Sequence, residues 1–250
     1  MKILTFGDYN YIPHTINSYR NLKEFNRHND ITILSTDQQT VDKIKSIEPD
    51  CDVRVYNSKR FDISKYLSDN LAHYCILQFI KQEIIQEFVE IYGKVFYLDS
   101  DVIIFKDFFD IIDDILNTND FALKFYLQSD RFNANSIRNI VNCGTIGVKK
   151  SYNSDKMFNY FFDKTLTLPP KGNLDEYYIT DFFDSSQVKY HIIDDNINLI
   201  NNEHWSYRIE EIQQISPMSF HPTYTINEFY PNRPYTKVSV AKALNKWFFD

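Results

Sequence analysis

Two carboxylates one residue apart follow a strongly apolar run in the segment "VFYLDSDVIIF" at residues 95–105. If the run is a strand, Asp99 and Asp101 lie at its carboxyl end, which is where open α/β sheets bind ligands. Two acids this close repel each other, and a cation between them keeps both ionised. Mg²⁺ or Mn²⁺ accepts one or two carboxylates and completes its shell with phosphate oxygens and water. The spacing therefore indicates that a diphosphate binds through a divalent metal.

Three other interpretations of the acid pair compete with this one. A calcium EF-hand loop needs Gly at its sixth position, where this chain has Ile104, so that interpretation fails. Phosphatases of the haloacid-dehalogenase type also carry D-x-D at a strand end, but normally after the first strand, whereas here it follows roughly the fourth. In the third interpretation the acids simply face solvent or cap a turn. Because D-x-D alone is common, the motif by itself leaves these last two open.

The elements that must position the acids alternate between strand and helix patterns. Strand patterns at 2–7, 30–36 and 52–57 are separated by helical patterns at 14–26 and 39–47. An amphipathic helix is predicted at 68–89, directly before the acid-bearing strand. Such alternation predicts a parallel sheet with crossover helices. The later elements are mixed, with strands predicted at 121–128, 140–150, 189–194 and 215–224, and helices at 154–166 and 173–184.

This order predicts one α/β domain over residues 1–250, with a mixed, mostly parallel sheet flanked by helices. We expect residues 1–107 to bind a nucleotide-like ligand and residues 108–250 to hold the other substrate.

Composition narrows the class of protein. The net charge of −7 and the pI near 5.4 argue against a broad nucleic-acid surface. No apolar run approaches the ~20 residues of a transmembrane helix, and the N-terminal apolar run is too short for a signal peptide. Cys51, Cys75 and Cys143 form no C-x-x-C pair, so we expect buried thiols and a cytoplasmic location.

The segment "VFYLDSDVIIFKD" resembles the D-x-D segment of GT-A glycosyltransferases, especially glycogenin-like enzymes and the nucleotide-diphospho-sugar transferases. The resemblance implies a GT-A (Rossmann-like) fold and metal-dependent sugar transfer from a nucleotide-diphosphate donor. It favours UDP over GDP and retention of the anomeric configuration, and leaves the acceptor open as a protein, glycan or small molecule. An inactive nucleotide-sugar-binding or interaction module is the alternative. A sugar nucleotidyltransferase is less expected, because "GDYNYIPH" is neither glycine-rich nor basic.

The resemblance assigns a metal site to three residues. It implies that Asp101 binds the metal directly, that Asp99 serves both the metal and the ribose side of the nucleotide, and that Ser100 offers further nucleotide contacts. In "SFHPT", His221 resembles the family's late metal-binding histidine, and an imidazole ligand suits Mn²⁺ better than Mg²⁺. The family's Gly and Lys-Pro-Trp after that histidine are missing here, so an ordinary structural histidine remains the alternative.

The resemblance also implies where the nucleotide binds. Thr5 and Phe6, at the end of the first strand, would line the crevice, and Tyr11 would stack on the base. Asp37, after the second strand, would accept a hydrogen bond from the base or the ribose. The alternative for Tyr11 is a packing role on an aromatic-rich surface.

Four further residues are implied near the diphosphate and the donor sugar. Lys81, on the helix before the acids, would offset charge developing on the leaving diphosphate, with a solvated surface lysine as the alternative. In "VNCGTIGVKK", the glycine-containing segment at Gly144 would pass beneath the donor sugar, and Asn142 and Cys143 would reach the sugar hydroxyls. The alternative there is a closely packed or bulged strand.

The start of the helix "NLDEYYITDFF" resembles the family's Asp-Gln pair, with Glu in place of the usual Gln. Asp175 and Glu176 would order the sugar, and an inverting enzyme could use either as its base. Acids in a first helical turn are also expected from the helix dipole alone. The aromatic segments "EFYPNRPY" and "KWFF" are candidates for an acceptor groove, a homodimer interface or an apolar helix end packed on the core.

Overall fold

The structure is a computed structural model and describes residues 1–62, 70–129, 137–167, 174–200, 207–222 and 237–248. Its strands are β1 (Lys2–Phe6), β2 (Ile31–Ser35), β3 (Val53–Val55), β4 (Lys94–Leu98), β5 (Ile103–Ile104), β6 (Phe121–Ser129), β7 (Ile137–Lys149), β8 (His191–Ile192), β9 (Asn198–Ile200) and β10 (Ser219–His221). Its helices are α1 (Ile12–Glu24), α2 (Gln38–Ile47), α3 (Asn70–Tyr92), α4 (Phe109–Thr118), α5 (Tyr152–Thr167), α6 (Leu174–Ser185), α7 (Ile209–Ile215) and α8 (Lys237–Ala243), with a short 3₁₀ helix at Tyr9–Tyr11.

Seven strands form the main sheet in the order β3-β2-β1-β4-β7-β6-β8. The neighbours are parallel except at β7, which is antiparallel to both β4 and β6. The prediction of a mixed, mostly parallel sheet flanked by helices is confirmed. After β1 the chain builds β2 and β3 on one side and then places β4 on the other. The strand order therefore reverses between β1 and β4, at the position where open α/β sheets bind ligands.

The first half folds as its hydrophobic pattern predicts. β2 and β4 are continuous apolar runs that are buried almost throughout, as parallel strands covered on both faces must be. Pro13 lies in the first turn of α1, where its missing N–H costs no hydrogen bond. Asp37 is the N-cap of α2, because its Oδ1 accepts a hydrogen bond from the Thr40 backbone N–H at 2.6 Å.

Helices cover both faces of the main sheet. One hydrophobic cluster joins α3, α5 and α6 to one face, and a second joins α1, α2 and α4 to the other. Aromatic side chains supply much of this core; the Phe121 and Phe183 rings, for example, meet edge to face with centroids 5.0 Å apart. Each fully buried apolar side chain of this size contributes about 1.5–3 kcal/mol. The two layers hold the carboxyl ends of β1 and β4 rigidly in place.

A second, three-stranded sheet has the order β5-β10-β9, with β10 antiparallel to β5 and parallel to β9. The helices α7 and α8 pack on it through Ile212, Val240 and Ala241. The strand predicted at 215–224 is wrong in its bounds, because α7 ends at Ile215 and β10 spans only Ser219–His221. The short strands β5 and β9 were not predicted as separate strands.

Two further observations concern the cysteines and the length of the helices. The three cysteines are buried, as predicted, and form no disulfide among the described residues. Among the helices that the structure describes, none has the length and apolar character needed to cross a membrane.

Candidate functional site

The acid pair lies in the connection between the two sheets. β4 ends at Leu98, and the next backbone N–H, of Asp99, donates to the Gly144 carbonyl of β7 at 2.8 Å. A turn follows in which the Val102 N–H donates to the Asp99 carbonyl at 3.1 Å, and β5 begins at Ile103. The acids therefore stand at the carboxyl end of β4, beside the point where the strand order reverses.

The second sheet brings His221 to the acids, because β10 pairs with β5 directly after Asp101. The His221 Nε2 atom lies 3.2 Å from Asp101 Oδ1 and 3.7 Å from Asp99 Oδ2. One ligand atom from each of the three residues lies within 4.8 Å of the others. We call Asp99, Asp101 and His221 the Asp–His cluster.

The Asp–His cluster fits a divalent metal. Ligand atoms that share one ion lie about 3 to 4 Å apart when each bond is about 2.1 Å long, so the observed separations need little adjustment. Two carboxylate oxygens and one imidazole nitrogen suit Mn²⁺, and the carboxylates alone suit Mg²⁺. Asp101 is buried, whereas the Asp99 side chain is 33% exposed.

Gly144 makes room for the Asp–His cluster. A Cβ atom at this position would lie 2.3 Å from Asp99 Oδ2 and 2.4 Å from His221 Cε1. Since such contacts do not occur between real atoms, only glycine allows β7 to pass directly beneath both side chains. The predicted close approach of the backbone at Gly144 is explained by this contact with Asp99 and His221.

Lys237, at the start of α8, forms an ion pair with Asp101 Oδ2 that sequence reasoning missed. Burial alone would raise the pKa of Asp101, but the charges and hydrogen bonds of Lys237 and His221 hold it well below its usual range. Burial would lower the pKa of Lys237, yet Asp101 raises it above its usual value. The Lys237 ammonium also lies 5.9 Å from the Tyr11 ring centroid, within cation–π range. Lys237 therefore adds a positive charge between the acids and Tyr11.

A second group of charges lies at the start of α6. Lys81 of α3 forms an ion pair with Asp175 at 2.8 Å, and both side chains are buried. Burial alone would lower the pKa of Lys81, but Asp175 raises it well above its usual range. Gln82 Nε2 also donates to Asp175 Oδ2, at 3.4 Å. The alternative interpretation of Lys81 as a solvated surface lysine is therefore wrong.

Glu176 differs from Asp175 although the two are adjacent; together we call them the buried acid pair. Tyr126 donates its hydroxyl to Glu176 Oε2 at 2.5 Å, and Asn142 Nδ2 donates to Oε1 at 3.3 Å. Burial, reinforced by the charge of Asp175, raises the pKa of Glu176 to about 7. Glu176 is therefore present both with and without a proton near neutral pH, and so it can exchange one.

The remaining predicted residues lie along the same edge. Thr5 is buried and Phe6 half-buried at the carboxyl end of β1, and Ser100 is buried between the two acids. Tyr11 ends the 3₁₀ helix, which Asp8 caps by accepting hydrogen bonds from the N–H groups of the residues at 10 and 11. Cys143 is fully buried, so its thiol does not line an open surface.

Asp37 is engaged in its helix cap. Besides Thr40 N, its carboxylate accepts hydrogen bonds from Thr40 Oγ1 at 2.8 Å and from Ser35 Oγ at 3.2 Å. A structural role for Asp37 is therefore visible, and its contact with a nucleotide stays a prediction. The aromatic segment at 228–235 lies outside the described residues, whereas Trp247 of "KWFF" packs on the hydrophobic cluster of the second sheet and meets the His14 ring edge to face, with centroids 5.5 Å apart.

Residues 26–228 match the model of the nucleotide-diphospho-sugar transferase family. No curated protein sequence matches the chain with significant similarity.

Several solved structures share the fold. The galactosyltransferase LgtC, whose structure contains donor and acceptor sugar analogs, has a TM-score of 0.61 at 11% identity, covering 99% of this chain and 96% of its own. GlyE of Streptococcus pneumoniae has a TM-score of 0.58 at 18% identity, over 100% of this chain and 60% of GlyE. Mouse xyloside xylosyltransferase 1 has a TM-score of 0.57 at 12% identity, over 94% and 99%. The fold is thus that of GT-A glycosyltransferases.

Proposed function

Because the chain belongs to the nucleotide-diphospho-sugar transferase family, we propose that this glycosyltransferase is metal-dependent and moves a sugar from a UDP-sugar to an acceptor, with retention. The observation that carries the proposal is the Asp–His cluster at the carboxyl end of β4. A carboxylate pair and an imidazole converging on one point are what a metal-bound diphosphate requires. When bound, Mn²⁺ or Mg²⁺ would supply positive charge at the leaving diphosphate.

In this proposal the residues of the first half hold the nucleotide. Tyr11 presents its ring to the base, Thr5 and Phe6 line the crevice beside it, and Asp99 and Ser100 contact the ribose and the diphosphate. Lys237, which lies between Asp101 and Tyr11, is placed to contact the diphosphate as well. UDP is preferred to GDP on the strength of the family resemblance, since an aromatic ring stacks on either base.

The residues of the second half hold the sugar. Lys81 forms an ion pair with Asp175 inside the protein, and the Asp175 carboxylate can accept hydrogen bonds from sugar hydroxyls. The charge of Lys81 also opposes the negative charge that develops on the leaving group. Gly144 lets β7 approach Asp99 and His221 closely, so that the strand can pass beneath a sugar held next to them. In this proposal residues 1–107 hold the nucleotide and residues 108–250 hold the sugar. His221 and Lys237 are exceptions, because they belong to the second half and contact the metal and the diphosphate.

The stereochemical outcome depends on Glu176. In a retaining reaction Glu176 need not remove a proton, which agrees with the Gln that the family usually carries at this position. With its pKa raised to about 7, Glu176 is also suited to act as a general base, and an inverting reaction would use it so. The configuration of the product, read by NMR of the anomeric proton, decides between the two.

A cytoplasmic location is part of the proposal, supported by three buried thiols that form no disulfide among the described residues. The acceptor and a homodimer stay predictions.

A screen of UDP- and GDP-sugars for slow donor hydrolysis tests the proposal. We expect one UDP-sugar to be hydrolysed in the presence of Mn²⁺ and hydrolysis to stop when EDTA is added. Equal hydrolysis with and without EDTA would contradict the metal dependence, and a GDP-sugar as the sole donor would contradict the choice of UDP.

A further inference from the structure

The residues that follow α8 are fastened to α1, and we call residues 246–248 the α8 extension. Asn17 of α1 is buried, and its side chain pairs with the α8 extension twice. Its Nδ2 donates to the Lys246 carbonyl at 3.0 Å, and its Oδ1 accepts from the Phe248 N–H at 2.6 Å. We propose that Asn17 is a positioning residue that holds Lys237 at the Asp–His cluster through the α8 extension. The inference rests on the proposed function, in which Lys237 contacts the diphosphate.

The two hydrogen bonds use both ends of the Asn17 amide. An amide side chain carries donors on its nitrogen and an acceptor on its oxygen, and here they meet the backbone groups on either side of Trp247. Arg20, one helical turn further along α1, also donates to the Phe248 carbonyl. Because a buried amide that loses its partners is destabilising, the burial of Asn17 favours the docked α8 extension over a detached one.

A helix-ending turn connects this anchor rigidly to α8. Asn245 has the left-handed backbone conformation that commonly ends helices, with a φ of 55°. Its N–H donates to the Lys242 carbonyl at 3.0 Å, and the Lys246 N–H donates to the Ala241 carbonyl at 2.8 Å. These are the two hydrogen bonds of the Schellman motif, and they fix the direction in which the α8 extension leaves the helix. Since α8 is only about 10 Å long, an anchor at its end also restrains Lys237 at its start.

α8 depends on such an anchor because it is short. It has seven residues, and helices below about 12–15 residues are marginal on their own in water. Its buried contacts with the second sheet come from two small side chains, Val240 and Ala241. At its start, Lys237 pairs with Asp101, and the ammonium lies 5.9 Å from the Tyr11 ring centroid. Contacts at both ends of α8 therefore determine where this ammonium lies.

Hydrogen exchange of the metal-free full chain, measured by mass spectrometry, tests whether Asn17 holds α8. N17L removes both hydrogen bonds at similar volume. F248P removes one of them from the other side, because proline has no N–H, and its matched control is F248A, which also loses the ring but keeps the N–H. We expect residues 237–243 to exchange about five- to tenfold faster in N17L and F248P, as the loss of one or two hydrogen bonds implies. F248A should stay close to the wild type.

Two affinities measured by calorimetry test whether this anchor acts through Lys237, because they should change in opposite directions. With Lys237 no longer held at Asp101, N17L should bind Mn²⁺ alone more tightly, by up to about tenfold. N17L should bind UDP in the presence of Mn²⁺ about tenfold more weakly, because the diphosphate loses a charged partner. L22A, which removes a buried side chain of α1 from the core of the main sheet, should keep the wild-type Mn²⁺ affinity. In a K237M background, N17L should change neither affinity by more than about twofold.

Several results would overturn the inference. One is wild-type exchange of α8 in N17L and F248P, and another is faster exchange with unchanged affinities for Mn²⁺ and UDP. A third is an undiminished effect of N17L in the K237M background. If N17L does not fold, F248P and F248A decide. If the wild type binds no UDP, the proposed function fails, and the hydrogen exchange of α8 still decides whether Asn17 anchors it.

Discussion

The Asp–His cluster and the buried acid pair each place two carboxylates beside a lysine, yet the two groups carry their charge differently. In the cluster, Lys237 and His221 both act on Asp101 and lower its pKa. In the acid pair, Lys81 contacts Asp175 at 2.8 Å, while burial raises the pKa of its neighbour Glu176 to about 7. The comparison teaches that direct contact with a lysine distinguishes the two acids: Lys237 contacts Asp101, whereas the described hydrogen-bond partners of the Glu176 carboxylate are Tyr126 and Asn142. The cluster is suited to binding cations, and Glu176 is suited to proton exchange.

Among these variants, we expect the largest loss of stability when the buried ion pair between Lys81 and Asp175 is broken. In K81M, Asp175 would remain buried without its ammonium partner, and we expect the free energy of unfolding to fall by about 3–5 kcal/mol. The matched control is K59M, which breaks the exposed pair between Lys59 and Glu87 and should cost less than about 1 kcal/mol. Urea unfolding of both variants measures the difference. Equal losses would show that Lys81 does not compensate a buried charge.

The geometry of the Asp–His cluster can be disturbed without removing a ligand. In G144A the added methyl group collides with Asp99 and His221, and we expect Mn²⁺ to bind about 100-fold more weakly by calorimetry. G147A adds the same methyl group in the same strand, where its Cβ meets Ala122 Cβ at 3.0 Å. That variant should lose about 1–3 kcal/mol of stability through overpacking and keep its Mn²⁺ affinity. Similar Mn²⁺ affinities of G144A and G147A would show that Gly144 does not determine the geometry of the metal site.

The raised pKa of Glu176 makes stability depend on pH. Its folded-state pKa of about 7 lies above the ordinary 4.5, so the unfolded chain releases this proton first and stability falls as pH rises between these values. E176Q cannot ionise and should be more stable than the wild type by about 1–3 kcal/mol above about pH 7. This difference in stability between E176Q and the wild type should vanish towards pH 4.5.

Thermal unfolding of the wild type and E176Q across this pH range measures the effect on stability. A pH-independent difference would contradict the assignment of the raised pKa. In the retaining reaction that we propose, E176Q also keeps most of its activity, whereas a general base at this position would make the loss large.

Lys237 and a metal ion compete for Asp101. We expect K237M to bind Mn²⁺ about tenfold more tightly in the absence of nucleotide, because a positive charge in contact with a metal ligand is removed. K242M, at an exposed position of the same helix, should leave the affinity unchanged. Weaker binding by K237M would mean that Lys237 supports the cluster and does not compete with the ion.

Local sequence patterns predicted the first half of the molecule and part of the site. Asp99 and Asp101 were found because an apolar strand pattern ends at them, and α3 was found from its helical spacing. His221 came from the family resemblance, since the strand predicted at 215–224 does not reveal that β10 pairs with β5 beside the acids. Lys237 belongs to no motif, and its contact with Asp101 spans 136 positions of the chain.

The partners of Lys81 and Glu176 also depend on tertiary structure. Lys81 was predicted to face the diphosphate, but the packing of α3 against α6 determines that it contacts Asp175. The raised pKa of Glu176 arises from burial and from the adjacent Asp175, and burial at a helix start is not readable from residue types. Side chains that meet across elements are therefore the part of the site that the sequence alone did not predict.

Metal-linked nucleotide binding tests the central claim most directly. Isothermal titration of UDP into the wild-type protein should show binding with Mn²⁺ and little or none after chelation, because the Asp–His cluster holds the diphosphate through the ion. D101N, which keeps the shape of the side chain, should lose this binding, while D50N, at an exposed turn, should keep it. Binding of UDP that is equally strong without metal, or in D101N, would contradict the account.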